Sequence, residues 1–329
     1  MRILSAGVAF LLVRSALLHA QPAMTQTAPA RQWAVSICDG YLSGIGADDV
    51  WSAAKTVGLS RIEVGVNARL ACPHLFEKGA TPYRIDTPEA RAVLRKKLSQ
   101  EGMSIGCLCI VTKLDLHGRD DEILERIRRA AEAAPELGCR TLMLPVAVIA
   151  PRDVTLTDEA FVERCRPFVR ALDGLAAKTG VQIVLENLGP FWNRREIMEA
   201  LLRESRPDRV GMLLDAANLY WYGYPLDRIY ELAQTFAPYV RYVHVKNIRY
   251  PADQRDRQRT AGWEYARYAE PVRTGDIDFA RVLRTLAGAG YVGDLTIEDD
   301  SLPHFDAAGR KKTIADDAAY LRERIKELK

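Results

Sequence analysis

From Trp33 onward, short apolar runs alternate with longer amphipathic ones. Eight runs read as strands: WAVSIC (33–38), RIEVGV (61–66), MSIGCLCI (103–110), RTLMLPV (140–146), VQIVLE (181–186), RVGMLLD (209–215), VRYVHVK (240–246) and DLTIED (294–299). Strands apolar on both faces belong to a parallel sheet covered by helices. The intervening segments carry helical signals. TPEARAVLRKKLSQEG offers Thr87 as N-cap, Pro88 at the first helical position and Gly102 just past the end. DDEILERIRRAAEAAPELG predicts a helix that Pro135 kinks or shortens, and DEAFVERCRPFVRALDGLAAKTG ends on glycine. The chain closes with an amphipathic helix, expected to cover an outer wall. Eight strand–helix units running one way favour a single α/β domain, a closed (β/α)8 TIM barrel, over an open doubly wound sheet. No G-x-G-x-x-G follows the first strand, which argues against a dinucleotide-binding half.

Four of the later strand runs end on a polar residue: Glu186, Asp215, His244 and Glu298. The first three are evenly spaced, about one strand-plus-helix unit apart, and the last interval holds an extra polar loop. Barrel closure brings such ends to one rim. Buried charge at a strand end is costly unless it is paired or coordinates a metal. Three carboxylates and one imidazole form a hard, oxygen-rich set. It suits one divalent ion, Mn, Mg or Co, and admits Zn, but it is not a thiolate structural site. Two positions of an octahedral ion stay open for adjacent carbonyl and hydroxyl oxygens of a substrate.

Composition adds limits. The chain has 329 residues, 48% apolar and 27% charged, enough for one large domain, and a net charge of +3 gives no reason to expect nucleic acid as partner. Arg2, the apolar stretch ILSAGVAFLLV and Leu18-His19-Ala20 predict a signal peptide over 1–20, although Arg14 interrupts the apolar run. A Pro/Ala/Thr-rich flexible leader follows over 21–32, then the barrel over 33–329. That order implies a periplasmic or secreted protein, with no membrane attachment after signal removal; a mis-called start would make it cytoplasmic. A homo-oligomer stays open. Six cysteines without a C-x-x-C pair read as small buried thiols. Residues 250–275 form a long charged loop between strands seven and eight, where Trp263, Tyr265 and Tyr268 favour a lid or interface.

ENL at 186–188, LDAANLYWYG, HVKN at 244–247, and TGDIDF followed by GAGYVGDLTIED resemble the sugar phosphate isomerase/epimerase family, within the xylose-isomerase-like TIM-barrel superfamily. The resemblance runs in order over most of Trp33 to Asp300. It implies Glu186, Asp215, His244 and Glu298 as ligands of one divalent ion. It also implies that Glu186 and Glu298 pass protons on opposite faces of a substrate carbon, through an enediolate. Three departures stand out: Leu188 and Asn218 occupy positions where relatives carry His, and Asn247 stands where several read Asp. Lys246 matches the family's H-x-K lysine and Arg249 lies near its substrate-gripping arginine, so both are candidates for substrate binding, with Asn218.

Other candidates have two readings each. Glu63 orients substrate or pairs with Arg61 or another basic group. Phe191 and Trp192 stack on a sugar ring or pack in the core. Arg273 binds an anion or is a solvated loop charge. His74, His117 and His304 are isolated. The expected function is metal-dependent isomerisation or epimerisation of a sugar, keto-sugar or polyol derivative. Alternatives are a lyase acting on 3-keto-glycosides and a catalytically silent sugar-binding barrel. An abasic-site endonuclease would need a cluster of histidines that five His residues hardly supply.

Overall fold

Along a strand, side chains alternate between two faces, so a closed barrel sorts each strand into lumen residues and residues facing the helices. The computed structural model describes residues 32–110, 112–114, 120–148 and 156–328; the predicted signal peptide and leader lie almost wholly outside them, as does His117. From Gln32 the chain forms one compact unit. Its eight barrel strands are β1 (Ala34–Cys38), β2 (Arg61–Val66), β3 (Ser104–Ile110), β4 (Thr141–Leu144), β5 (Gln182–Glu186), β6 (Val210–Asp215), β7 (Val240–Val245) and β8 (Asp294–Ile297). Neighbours in sequence pair in parallel, and β1 pairs with β8 to close the ring. This is the (β/α)8 barrel expected from the sequence.

Helices α1 (Val50–Thr56), α2 (Pro88–Glu101), α3 (Asp120–Ala133), α4 (Asp158–Thr179), α5 (Arg195–Leu202), α6 (Leu226–Phe236), α7 (Phe279–Gly288) and α8 (Ala307–Glu327) follow the successive strands. Their limits have local causes. The Thr87 hydroxyl accepts from the Ala90 amide at 3.2 Å, and Gly102 ends α2 at φ 64°, in the left-handed region. Pro135 shortens α3, whose last turn becomes a 3-10 turn over Ala134–Leu137.

The lumen is layered. Cys107, Met143, Val184, Leu213 and Tyr242 make an apolar cluster separate from the core between sheet and helices. Burying side chains of this size contributes roughly 1.5–3 kcal/mol each for the larger ones. Beside them Ser36 and Thr296 are hydrogen bonded at 2.6 Å, and the Thr296 hydroxyl donates to the Tyr242 phenol oxygen at 2.7 Å. Two residues further along five of these strands stand Cys38, Glu186, Asp215, His244 and Glu298. The period-2 alternation thus stacks the polar layer directly on the apolar plug.

Candidate metal centre

Glu186, Asp215, His244 and Glu298 each present one ligand atom, and these atoms lie within 4.8 Å of one another. His244 Nδ1 lies 3.6 Å from Glu186 Oε1 and 3.3 Å from Glu298 Oε2. It is buried without a hydrogen-bond partner, a state that normally costs a buried polar atom free energy. The other ring nitrogen, Nε2, donates to Glu63 Oε2 at 3.0 Å, which turns Nδ1 towards the acids. A carboxylate behind a ligating imidazole is the usual way its ring is oriented and its basicity raised. An orphaned nitrogen among three carboxylates fits a hard divalent ion, so the donor set passes that test.

Each ligand is fixed by its own strand end. Asp215 closes β6 and caps the helix Ala216–Tyr222: its Oδ1 accepts from the amides of Ala217 at 2.8 Å and Asn218 at 3.2 Å. Asn187 ties β5 to β6, accepting from the Asp215 amide at 2.8 Å and donating to its carbonyl at 2.9 Å. Asn218 donates to Glu186 Oε1 at 3.0 Å. Lys246, two residues beyond His244 and so on the same face, reaches Asp215 Oδ2 at 2.9 Å and Glu298 Oε2 at 2.7 Å.

The charges tune one another. Burial pushes the Asp215 carboxyl up to about 6, against the pull of Lys246. Burial would raise Glu298 too, but Lys246 and then His244 hold it below the ordinary carboxylate range. Burial alone would lower His244; Glu63, chief among its neighbours, raises it instead.

Several expectations are corrected. Trp192 is 1% exposed and meets Phe161 edge-on at 5.8 Å, while Phe191 stacks on the same ring at 4.3 Å. Both serve the core, so neither is available to stack on a sugar. Arg249 is more than half exposed and turns to Glu270 at 3.6 Å rather than to the four donors. Glu63 meets the second of its two readings, pairing not with Arg61, which binds Asp294 at 2.7 Å, but with another basic group, the His244 imidazole. Arg273 and His74 are exposed, and His304 donates to the Ala266 carbonyl at 2.7 Å.

Other contributors were not identified as site residues from the sequence. The Cys38 thiol lies 3.4 Å from Glu63 Oε1 and 3.9 Å from His244 Nε2; its place at the end of β1, level with the four donors, was the available signal. Asp300 accepts from the Tyr41 hydroxyl at 2.5 Å and from the Tyr265 hydroxyl; Tyr41 lies in a 3-10 helix over Asp39–Leu42 and Tyr265 in a single helical turn over Tyr265–Tyr268, segments too short to show a period. Tyr265 comes from the long β7–β8 excursion, which is pinned rather than loose. Arg259 lies between the Tyr220 and Tyr250 rings, 4.5 and 4.3 Å from their centroids, and the Asp276 carboxylate accepts from the Tyr250 amide at 2.8 Å and the Tyr220 hydroxyl at 3.0 Å.

The xylose isomerase-like TIM barrel family model matches residues 51–324. The chain belongs to that family. No curated protein matches it in sequence. Solved structures share its fold at low identity. A xylose isomerase-like TIM barrel protein from Mycobacterium smegmatis, in complex with magnesium, is 17% identical over 85% of this chain and 88% of its own, with a TM-score of 0.64. The IOLI protein with a bound zinc atom is 14% identical over 90% and 99%, with a TM-score of 0.68. A sugar phosphate isomerase/epimerase from Parabacteroides distasonis is 13% identical over 90% and 95%, with a TM-score of 0.60.

Proposed function

We propose that this family member is a divalent-metal-dependent isomerase or epimerase of a carbohydrate. The observation that carries the reading is the orphaned, buried Nδ1 of His244 facing Glu186 and Glu298, with Asp215 completing the set. Neighbours that hold magnesium and zinc on the same fold, and one named for sugar phosphate isomerisation or epimerisation, support it.

In this reading Glu186, Asp215, His244 and Glu298 hold the ion. When bound, it would supply Lewis-acid stabilisation that makes the C–H of the hydroxyl-bearing carbon beside a sugar carbonyl acidic. Glu186 removes that proton and Glu298 returns one, the exchange that positioned carboxylates perform. The Asn218 amide fixes the Glu186 carboxylate for this task. Lys246 supplies a positive charge where substrate oxygens gain negative charge. The closed apolar layer beneath keeps bulk water from entering through the bottom of the barrel. If residues 1–20 act as an export signal, an unphosphorylated sugar or keto-sugar is the substrate class this reading favours.

The test is a panel of free and oxidised sugars incubated in D2O with the Mn-loaded protein and followed by NMR. Metal-dependent incorporation of deuterium at the carbon beside a carbonyl is expected. The same spectra separate returning a proton from expelling a leaving group, the lyase alternative. A metal-loaded protein that binds a sugar yet exchanges no carbon-bound hydrogen would make it a binding barrel instead.

A further inference from the structure

Lys246 sits on the very oxygens that Asp215 and Glu298 would offer a cation. Asp215 Oδ1 is committed to the Ala217 and Asn218 amides, so Oδ2 is the oxygen left for a ligand, and the ammonium holds it at 2.9 Å. Glu298 Oε2 faces His244 Nδ1 at 3.3 Å, and the same atom accepts from Lys246 at 2.7 Å. A dication engaging these atoms and an ammonium at the same place repel strongly in so buried a site. The Lys246 side chain is only 7% exposed, so the ammonium has no easy retreat into water and needs another partner.

One further carboxylate lies within reach, Asp300 at 3.7 Å. Two phenols hold it: Tyr41, from the turn after β1, and Tyr265, from the pinned excursion between β7 and β8. Glu264, immediately before Tyr265, adopts φ 44°, a left-handed backbone that non-glycine residues keep only where the surroundings enforce it. Two hydroxyl donors fix the orientation of Asp300 and leave its charge unneutralised by any closer cation among the described residues. We propose that Asp300 is a positioning residue of the metal centre: as the ion enters, the Lys246 ammonium passes from Asp215 and Glu298 to the carboxylate that Tyr41 and Tyr265 hold ready. The inference rests on the metal-binding reading above and adds to it a lysine that yields its place. Metal affinity then depends on Asp300 although Asp300 touches no metal.

The experiment is calorimetric titration of Mn2+ into four full-length proteins: wild type, Asp300→Asn, Lys246→Met and the double variant. Asp300→Asn is expected to weaken Mn2+ binding about tenfold, within the range for members of one charged network. Lys246→Met is expected to bind Mn2+ more tightly than wild type, because the competitor is gone. In that background Asp300→Asn should change nothing. Tyr265→Phe, which leaves every charge in place, should weaken binding in wild type only, and it carries the comparison if Asp300→Asn does not fold. An equal loss with and without Lys246, or no loss at all in wild type, overturns the proposal while the metal site stands. A wild-type protein that takes up no Mn2+ overturns both together.

Discussion

His244 is held from behind by Glu63. Its Nε2 donates to the Glu63 carboxylate at 3.0 Å, while Nδ1 looks into the acid cluster from 3.3 Å and 3.6 Å. The bond fixes the ring orientation, so the affinity of the centre depends on a residue that is not a ligand. Glu63→Gln keeps the shape but removes the charge. Losses of about 10- to 100-fold in metal affinity are usual for such partners, and that is the expected result from Mn2+ or Co2+ titration, with the thermal unfolding of the metal-free protein little changed. Unaltered affinity would show that Glu63 is merely a packing residue.

Glu298 is reached by Lys246 and His244 at once, and these charges keep it ionised. Glu298→Gln preserves an acceptor oxygen for Lys246 but cannot return a proton. Proton transfer by a positioned group contributes about 10²- to 10⁴-fold, so turnover in the deuterium-exchange assay should fall by at least the lower figure at saturating metal. Circular dichroism should report an intact fold. Turnover at the wild-type rate would remove the residue from catalysis.

Asn247 carries a different kind of prediction. Its amide nitrogen donates to the Val272 carbonyl at 2.8 Å and the Ile277 carbonyl at 3.1 Å. Its oxygen accepts from the Ile248 amide at 2.9 Å and the Ile277 amide at 3.0 Å. All four bonds are satisfied, and a Cβ on Gly275 would sit 2.1 Å from the Asn247 side chain, so the fit has no slack. Asn247→Asp puts a carboxylate against two carbonyl oxygens. Leaving such buried groups unpaired costs about 1–3 kcal/mol, measurable as a lower midpoint in urea unfolding with metal affinity retained.

The same residue marks the limit of what a sequence discloses. The strands, the barrel and the four convergent donors were legible because strand periodicity and strand ends announce themselves: Glu186, Asp215, His244 and Glu298 all follow apolar runs. At Asn218 and Asn247 the chain departs from the family it resembles. In the fold, Asn218 orients Glu186 and Asn247 staples the β7–β8 excursion. An amide that bridges distant backbone leaves no local signature. Nor does the meeting of Tyr41, Tyr265 and Asp300, which come together only because separate short segments fold onto one rim. Trp192 erred the other way: an aromatic beside a site has the same letter whether it lines the mouth or fills the core.

Asp317 is an acid whose burial no pattern in the sequence marks. It lies in α8, yet it is fully buried beside Asp299, the neighbour of Glu298. Burial, followed by the charge of Asp299, raises its carboxyl well above the usual range, while the amides of Arg273 and Val272 pull the other way. In the unfolded chain an aspartate loses its proton near pH 4. Above that pH the native pair retains a proton that the unfolded chain lacks. Stability therefore falls as pH rises, by up to about 1.4 kcal/mol per unit for one proton, until the buried group also ionises. Asp317→Asn offers Asp299 an N–H donor without taking up a proton and removes this slope. In urea unfolding from about pH 5 to about pH 9, the variant should gain on wild type steadily with rising pH. Parallel profiles would show that the two carboxyls share no proton in the native state.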